Sequence, residues 1–199
     1  MARTNCGSIL CHVAREVEIK FLVADIGALE TRLRERGFRQ VTPPAHEMNT
    51  LYDTSDRRLR RAGELLRIRR YGDRWILTHK AKGKTGTHKS RVETETEVAD
   101  GESLAQILRS LGFSPSFRYE KFRSEWTDSK GHVVIDRTPI GNVAEIEGKP
   151  DWIDATAAAL GVSRAQYITA NYAQMFMEWK RRTGSQANEM TFAALGVTP

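Results

Sequence analysis

Glu16, Glu18 and Lys20 stand two residues apart in the run Arg15-Glu-Val-Glu-Ile-Lys-Phe-Leu-Val23. In an extended strand that spacing puts all three on one face, with Val17, Ile19 and Phe21 on the other. Two carboxylates and an ammonium side by side can hold a divalent cation and touch a phosphate. A single strand of this kind is ordinarily half exposed, its charged face in water. A role in chemistry therefore depends on other strands repeating the pattern.

They do repeat it. Glu64-Leu-Leu-Arg-Ile-Arg-Arg70 sets Arg67 and Arg69 on one face and Leu66 and Ile68 on the other. Trp75-Ile-Leu-Thr-His-Lys80 aligns Ile76, Thr78 and Lys80. Ser90-Arg-Val-Glu-Thr-Glu-Thr-Glu-Val98 aligns Arg91, Glu93, Glu95 and Glu97 against Val92, Thr94, Thr96 and Val98. Further on, Lys121, Arg123 and Glu125 share a face, as do Val134 and Asp136, and then Glu145 and Glu147.

These strands need elements to hold them. Asp25 is placed to cap a helix over 26–36, with Ile26, Leu29 and Leu33 at helical spacing and Gly37 as its stop. A strand-like region over 38–53 is expected to break at Pro43-Pro44, and a short basic helical turn runs from Arg57 to Arg61. Tyr71-Gly-Asp-Arg74 reads as a hairpin turn. Lys82-Gly-Lys-Thr-Gly86 reads as a flexible basic loop and lacks the full spacing of a phosphate-binding P-loop. Leu104, Ile107, Leu108 and Leu111 mark a helix over 101–111, ended by Gly112. A helix over 151–160 is expected to be capped by Asp151. Another is expected from 163 into 182, with Tyr167, Ile168, Tyr172, Met175, Phe176 and Trp179 as ordinary packing residues. Everything after Gly184 reads as a frayed tail.

The apolar stripes of these helices can cover only the apolar strand faces, which leaves the charged faces together. In an open sheet those faces meet water; in a closed antiparallel sheet they line a cavity. Their composition mixes acids and bases, which compensate each other around a bound metal and a polyanion. The expected class is α+β, a closed antiparallel β-barrel with helices outside.

Composition narrows the function classes. The chain has 199 residues, 40% of them hydrophobic and 28% charged, which suits one domain with a real core. A formal net charge of +6 favours anionic partners. No Lys/Arg-rich tail, zinc-finger spacing or RNA-binding aromatic motif is present, which ranks nucleic acid low. Cys6 and Cys11 make no disulfide framework. No stretch reaches transmembrane length, no membrane partner is expected, and a cytoplasmic location is the expectation. Residues 1–14 are expected to be a flexible leader and 183–199 a tail, flanking one domain over 15–182. Oligomeric state is not legible.

The ordered set Glu16-x-Glu18-x-Lys20, Tyr52-Asp53-Thr54, Leu66-Arg67-Ile68-Arg69, Leu77-Thr78-x-Lys80, Arg91-x-Glu93-x-Glu95, Lys121-x-Arg123, Asp136 and Glu145-Ile146-Glu147-Gly148 resembles the CYTH superfamily, also called triphosphate tunnel metalloenzymes. The resemblance covers about 15–182 and is greatest to bacterial class IV adenylyl cyclase-like proteins. It implies an eight-stranded barrel whose tunnel binds a triphosphate with two divalent cations, Mg²⁺ or Mn²⁺. By position it implies Glu16, Glu18, Glu93, Glu95, Asp136, Glu145 and Glu147 as metal ligands. Lys20, Arg67, Arg69, Lys80, Arg91, Lys121 and Arg123 become the phosphate clamp, with Lys80 and Tyr52 as helpers in deprotonating a nucleophile. Asp100, Glu120 and Glu125 remain surface residues. The activity implied is conversion of ATP to cyclic AMP and pyrophosphate, or else hydrolysis of inorganic, thiamine or nucleoside triphosphate. A non-catalytic nucleotide or phosphate sensor is the third class.

Overall fold

The computed structural model describes residues 12–199. Its strands are β1 (His12–Val23), β2 (Arg39–Thr54), β3 (Leu65–Tyr71), β4 (Arg74–Lys80), β5 (Lys84–Thr85), β6 (Lys89–Val98), β7 (Phe113–Thr127), β8 (His132–Thr138) and β9 (Gly141–Glu147). Its helices are α1 (Ile26–Glu35), α2 (Arg58–Ala62), α3 (Gly101–Ser110), α4 (Pro150–Ala159), α5 (Tyr172–Thr183) and α6 (Phe192–Leu195).

The strands run β1-β9-β8-β7-β2-β3-β4-β6, and β6 pairs back onto β1, with every pairing antiparallel. That closes an eight-stranded barrel, as the alternating faces require. Turns then alternate between its two ends. The β3–β4 and β7–β8 turns lie at one mouth and the β8–β9 turn at the other. Outward residues meet the helices. Ile19, Phe21, Trp126, Val133, Ile135 and Ile146 pack with Leu29 and Leu33 of α1 and Ile153 of α4 in one buried core. Tyr52 and Ile68 pack under Ala105 and Leu108 of α3 in another. Burial of each such aliphatic or aromatic side chain contributes about 1.5–3 kcal/mol. Among the described residues no helix is long and apolar enough to cross a membrane.

Several local expectations are corrected. Pro43 and Pro44 do not break β2; the strand passes through them with register shifts between Gln40 and Thr42 and between Thr42 and Ala45. A bulge tolerates residues that cannot donate to the ladder. The basic loop after Lys82 contains β5, which pairs with Ser90 and Lys89. Asp151 does not cap α4; Lys149 holds the cap position without a side-chain bond and Pro150 takes the first helical place, where its missing N–H is harmless. The expected helix over 163–182 is interrupted. A 3₁₀ turn at Arg164–Gln166 is followed by extended chain in which Ile168 and Lys20 exchange both backbone hydrogen bonds, at 2.7 and 2.9 Å. Pairing of β6 with β1 stops at Glu18, so β1 has a free edge there for Ile168 to use. Helix α5 begins only afterwards, at Asn171, whose side chain and that of Gln174 form a capping box.

The tail is not frayed. Met190 is fully buried and bonds to β7 in both directions, accepting from Glu120 N at 3.1 Å and donating to Arg118 O at 3.0 Å. Glu120 is therefore not a surface residue. It is covered by this strap, accepts from Phe192 N at 2.6 Å, and lies 2.6 Å from His46 Nε2. Thr191 caps α6 through Ala194 N. Thr191→Ala is expected to cost about 1 kcal/mol, which lowers the melting temperature by about 2–4 °C. An unchanged melt would mean that the tail is undocked in solution. Of the expected leader, residues 1–11 lie outside the described residues, and residues 12–14 belong to β1.

Candidate active site

The barrel encloses a cavity of about 900 Å³. Glu16, Glu18, Lys20, Arg67, Arg69, Lys80, Arg91, Glu93, Glu95, Lys121, Arg123, Glu145 and Glu147 all line it. Each stands at an inward position of its strand, so closure has brought together residues from six strands and up to 131 positions apart in sequence.

The wall is a lattice of ion pairs. Lys20 Nζ lies 2.7 Å from Glu18 and 3.5 Å from Glu145. Lys80 Nζ lies 2.9 Å from Glu16 and also pairs with Glu93. Arg69 bridges Glu95 at 2.7 Å and Glu47 at 3.2 Å. Arg67 donates to Thr78 Oγ1 at 3.1 Å, and Thr78 donates on to Glu95 at 3.0 Å. Arg123 reaches Glu145 at 3.1 Å and grips both oxygens of Asp136. Such pairs hold long cationic side chains in place before any ligand arrives, at the expense of desolvation.

The acids are unequally satisfied. Burial opposes ionisation of Glu47, but Lys121, Arg123 and Arg69 overwhelm it and hold the carboxyl far below the usual range. Glu147 is different. Burial, then Glu16, Glu18 and Glu145, push it up to about 7, and among the described residues it has no ion-pair partner. Its cross-strand neighbour on β1 is Glu18. Like charges directly opposite on paired strands are unfavourable. Glu93 is likewise raised, by burial and by a hydrogen bond with Glu16.

That donor chemistry fits a divalent cation. A cation placed among Glu16, Glu18, Glu145 and Glu147 relieves the repulsion at Glu147 and displaces the proton that burial favours there, while Glu16, Glu18 and Glu145 are already held ionised by the neighbouring cations. Among the described residues no three acidic or histidine side chains form a ready-made cage. Mg²⁺ takes one or two carboxylates together with water and phosphate oxygens, so a cage is not required.

The structure separates two residues from the set. Asp136 is fully buried behind the wall and is engaged by Lys121 Nζ at 2.8 Å, by Arg123, and by the Tyr172 hydroxyl at 2.5 Å. It anchors Lys121 and Arg123, which line the cavity, and is not itself among the lining residues. Tyr52 is on the outer face of β2, under α3, and cannot touch anything inside. Its parity decides this, because Glu47, Asn49 and Leu51 take the inward places.

Other inward residues were missed. Glu47 lies at the centre of the cationic wall, 3.5 Å from Lys121. Its signal was alternation with Asn49 and Leu51 through His46-Glu-Met-Asn-Thr-Leu51. Lys89 lines the cavity two places before Arg91, and burial, Arg91 and Lys20 bring it down to about 8. Helix α5 is not ordinary packing on a sheet exterior. Its Tyr172 and Phe176 pack with Tyr119, Val143, Leu51 and Phe117, which occupy inward positions at the β8–β9 end. The helix thus stoppers that mouth, and Asn171, Tyr172 and Ala173 form the cavity's floor.

A family model described as the CYTH domain matches residues 14–168. MJ0240 of Methanocaldococcus jannaschii, named as a provisional adenylate cyclase, is 32% identical over 121 residues, 61% of this chain and 69% of its own. The adenylate cyclase CyaB of Aeromonas hydrophila is 27% identical over 168 residues, 79% of this chain and 86% of its own. Among solved structures, a provisional adenylyl cyclase from Hippeastrum superposes with a TM-score of 0.59 at 18% identity. The match covers 82% of this chain and 95% of that one, and a dominant triphosphatase activity is described for that protein. At that identity the likeness concerns the fold.

Proposed function

Because this chain belongs to the CYTH domain family, we propose that it is a divalent-metal-dependent enzyme acting on a triphosphate inside the barrel. The leading reaction is conversion of ATP to cyclic AMP and pyrophosphate, the activity named for the two curated relatives. The second reading is hydrolysis of inorganic, thiamine or nucleoside triphosphate, favoured by the activity described for the Hippeastrum protein.

One observation carries the proposal. Guanidinium groups on β3 and β7 share one enclosed cavity with an under-neutralised carboxylate group on β1 and β9. Arg67, Arg69 and Arg123 suit phosphate oxygens because the guanidinium fork binds them in pairs, while Lys20, Lys80 and Lys121 act as point charges. Mg²⁺ or Mn²⁺ held by Glu16, Glu18, Glu145 and Glu147 would supply charge neutralisation at the phosphate and activation of the nucleophile. The clamp must release its present carboxylates to take the substrate, so each cation exchanges one anionic partner for another and stays placed. In the cyclase reading the ribose 3′-oxygen bonds to the α-phosphorus, the bond to the bridging oxygen breaks, and pyrophosphate leaves with its electron pair. The 3′-hydroxyl proton passes to solvent water, with Lys80, ion-paired to Glu16 and Glu93, as an electrostatic helper in that deprotonation; Tyr52, on the outer face of β2, is not assigned a part in this step.

The test is a product assay with ATP, tripolyphosphate and thiamine triphosphate under Mg²⁺ and Mn²⁺. Cyclic AMP supports the first reading and orthophosphate the second. Binding of all three without turnover would leave a non-catalytic sensor and end the enzyme assignment.

A further inference from the structure

Outside the barrel, residues of β7, β2, β3 and β4 and the start of α3 enclose a second cavity, of about 550 Å³, which shares no residue with the first. Alternation puts the two cavities on opposite sides of the same strands, with Leu51, Arg67 and Arg69 lining the inner one and Thr50, Tyr52, Ile68 and Arg70 the outer. The body of the outer cavity is apolar, formed by Met48, Ile68, Trp75 and Ala105. Gly101 lets α3 close down on Trp75, since a methyl group there would come within 2.2 Å of the indole. One charge of each sign lies along this part, Glu102 beside Gly101 and Arg70 with its Cζ 5.5 Å from the centre of the Trp75 ring. One corner is polar and unfinished. Thr50 and Tyr52 carry hydroxyls two residues apart on β2, and among the described residues neither makes a side-chain hydrogen bond, although Tyr52 is only 5% exposed. Burial pushes the Tyr52 phenol up, against the pull of Arg109 and Arg118, so the hydroxyl stays protonated and can donate. Arg118, the cross-strand neighbour of Thr50, also lines the cavity. Its anionic partner is Glu189 at 3.6 Å, and both are nearly half exposed, so the pair is weak and easily exchanged. His46, at the edge, is already engaged by Glu120 at 2.6 Å.

We propose that this outer cavity is a second ligand site, which takes an organic monocarboxylate with a flat aromatic body and holds its carboxylate against Arg118, Tyr52 and Thr50. A phenol packed on its ring face and left without an acceptor loses hydrogen-bond energy that a ligand oxygen restores. One guanidinium and two hydroxyl donors match the two oxygens of a single carboxylate. A polyphosphate fits poorly, because its further charges would be buried against Met48, Ile68 and Ala105 without partners. Arg70 and Glu102 offset each other, which leaves Arg118 as the unbalanced charge of the site. The Trp75 indole and the Met48 thioether suit the faces and edges of a flat ring. The volume lies in the range of small-molecule sites, and a mostly apolar wall with a few convergent polar groups is their usual make-up. Tyr52, which has no place inside the barrel, gains a role here that does not depend on the reaction carried out there.

The test is calorimetric titration of the full chain with 2-naphthoate. Binding is expected with a dissociation constant on the order of 0.1 mM. On the native chain, 2-naphthalenemethanol, which has the same rings and no charge, is expected to bind about tenfold more weakly. Tyr52→Phe, which keeps the packed ring, should weaken naphthoate about fivefold, and Arg118→Gln about tenfold, both with native melting temperatures. Saturating tripolyphosphate should leave naphthoate binding unchanged, because the barrel cavity is a separate space. No binding of naphthoate at millimolar concentration overturns the proposal. So does equal binding of the alcohol, native affinity in both folded variants, or displacement by tripolyphosphate, which would put the carboxylate among the cations of the barrel.

Discussion

A chain carrying Glu16→Ala and Glu18→Ala is expected to stay folded and to lose metal-dependent turnover by on the order of a thousandfold. The fold survives because the substitutions touch only the inner face of β1. Its outer face, with Ile19 and Phe21 buried against α1 and α4, keeps the core intact. Neither lysine is orphaned, since Lys20 keeps Glu145 at 3.5 Å and Lys80 keeps Glu93. What disappears is half of the acidic group at which Glu147 is left under-neutralised. Manganese titration of the variant is expected to show weakened metal binding, and circular dichroism an unchanged β-rich spectrum. Turnover at the native rate in a folded variant would remove these carboxylates from the metal site and take the reading of the acidic wall with it.

The reason this site could be read from sequence is that strand parity is a local property. Once Glu16, Arg67, Glu93, Lys121 and Glu145 are each known to oppose an apolar face, their convergence follows from closure alone. Tyr52 shows the limit. Parity had to be counted through β2, whose register shifts between Gln40 and Thr42, between Thr42 and Ala45 and again between Leu51 and Tyr52, and the motif around Tyr52 suggested a role that its outward position denies. Asp136 shows a second limit. It has the parity of an inner residue, but whether a carboxylate faces the cavity or is consumed by neighbours depends on Lys121, Arg123 and Tyr172, which come from two other elements. Helix α5 and the strap were the least legible. Their amphipathic pattern announces packing but not which surface is covered, and a helix entering the mouth of a barrel has the same periodicity as one lying on its flank. The strap has almost no periodic signal. It docks through backbone bonds to β7 and one buried side chain on each side of Thr191, Met190 and Phe192.

Asp136 is the position where stability and metal binding can be separated. Its carboxylate is fully buried and accepts from Lys121, from Arg123 twice, and from the Tyr172 hydroxyl. Asp136→Ala leaves an ammonium and a guanidinium without that counter-charge in a dry environment, and breaking a buried pair from one side costs about 3–5 kcal/mol. For a chain of this length the melting temperature should drop by on the order of 10 °C. Asp136→Asn keeps the shape and part of the hydrogen bonding, so its melting temperature should fall between those of the native chain and Asp136→Ala. Because the oxygens of Asp136 are taken up by Lys121, Arg123 and Tyr172 and it is not among the residues that line the cavity, the folded Asn variant should bind Mn²⁺ as the native chain does, in calorimetry well below its melt. Its affinity for tripolyphosphate should fall, since Lys121 and Arg123 lose the anchor that aims them. A native melt combined with lost Mn²⁺ binding would reverse the assignment. It would make Asp136 a metal ligand that swings inward when the cation arrives, and the Tyr172 bond a resting contact that such a swing must break.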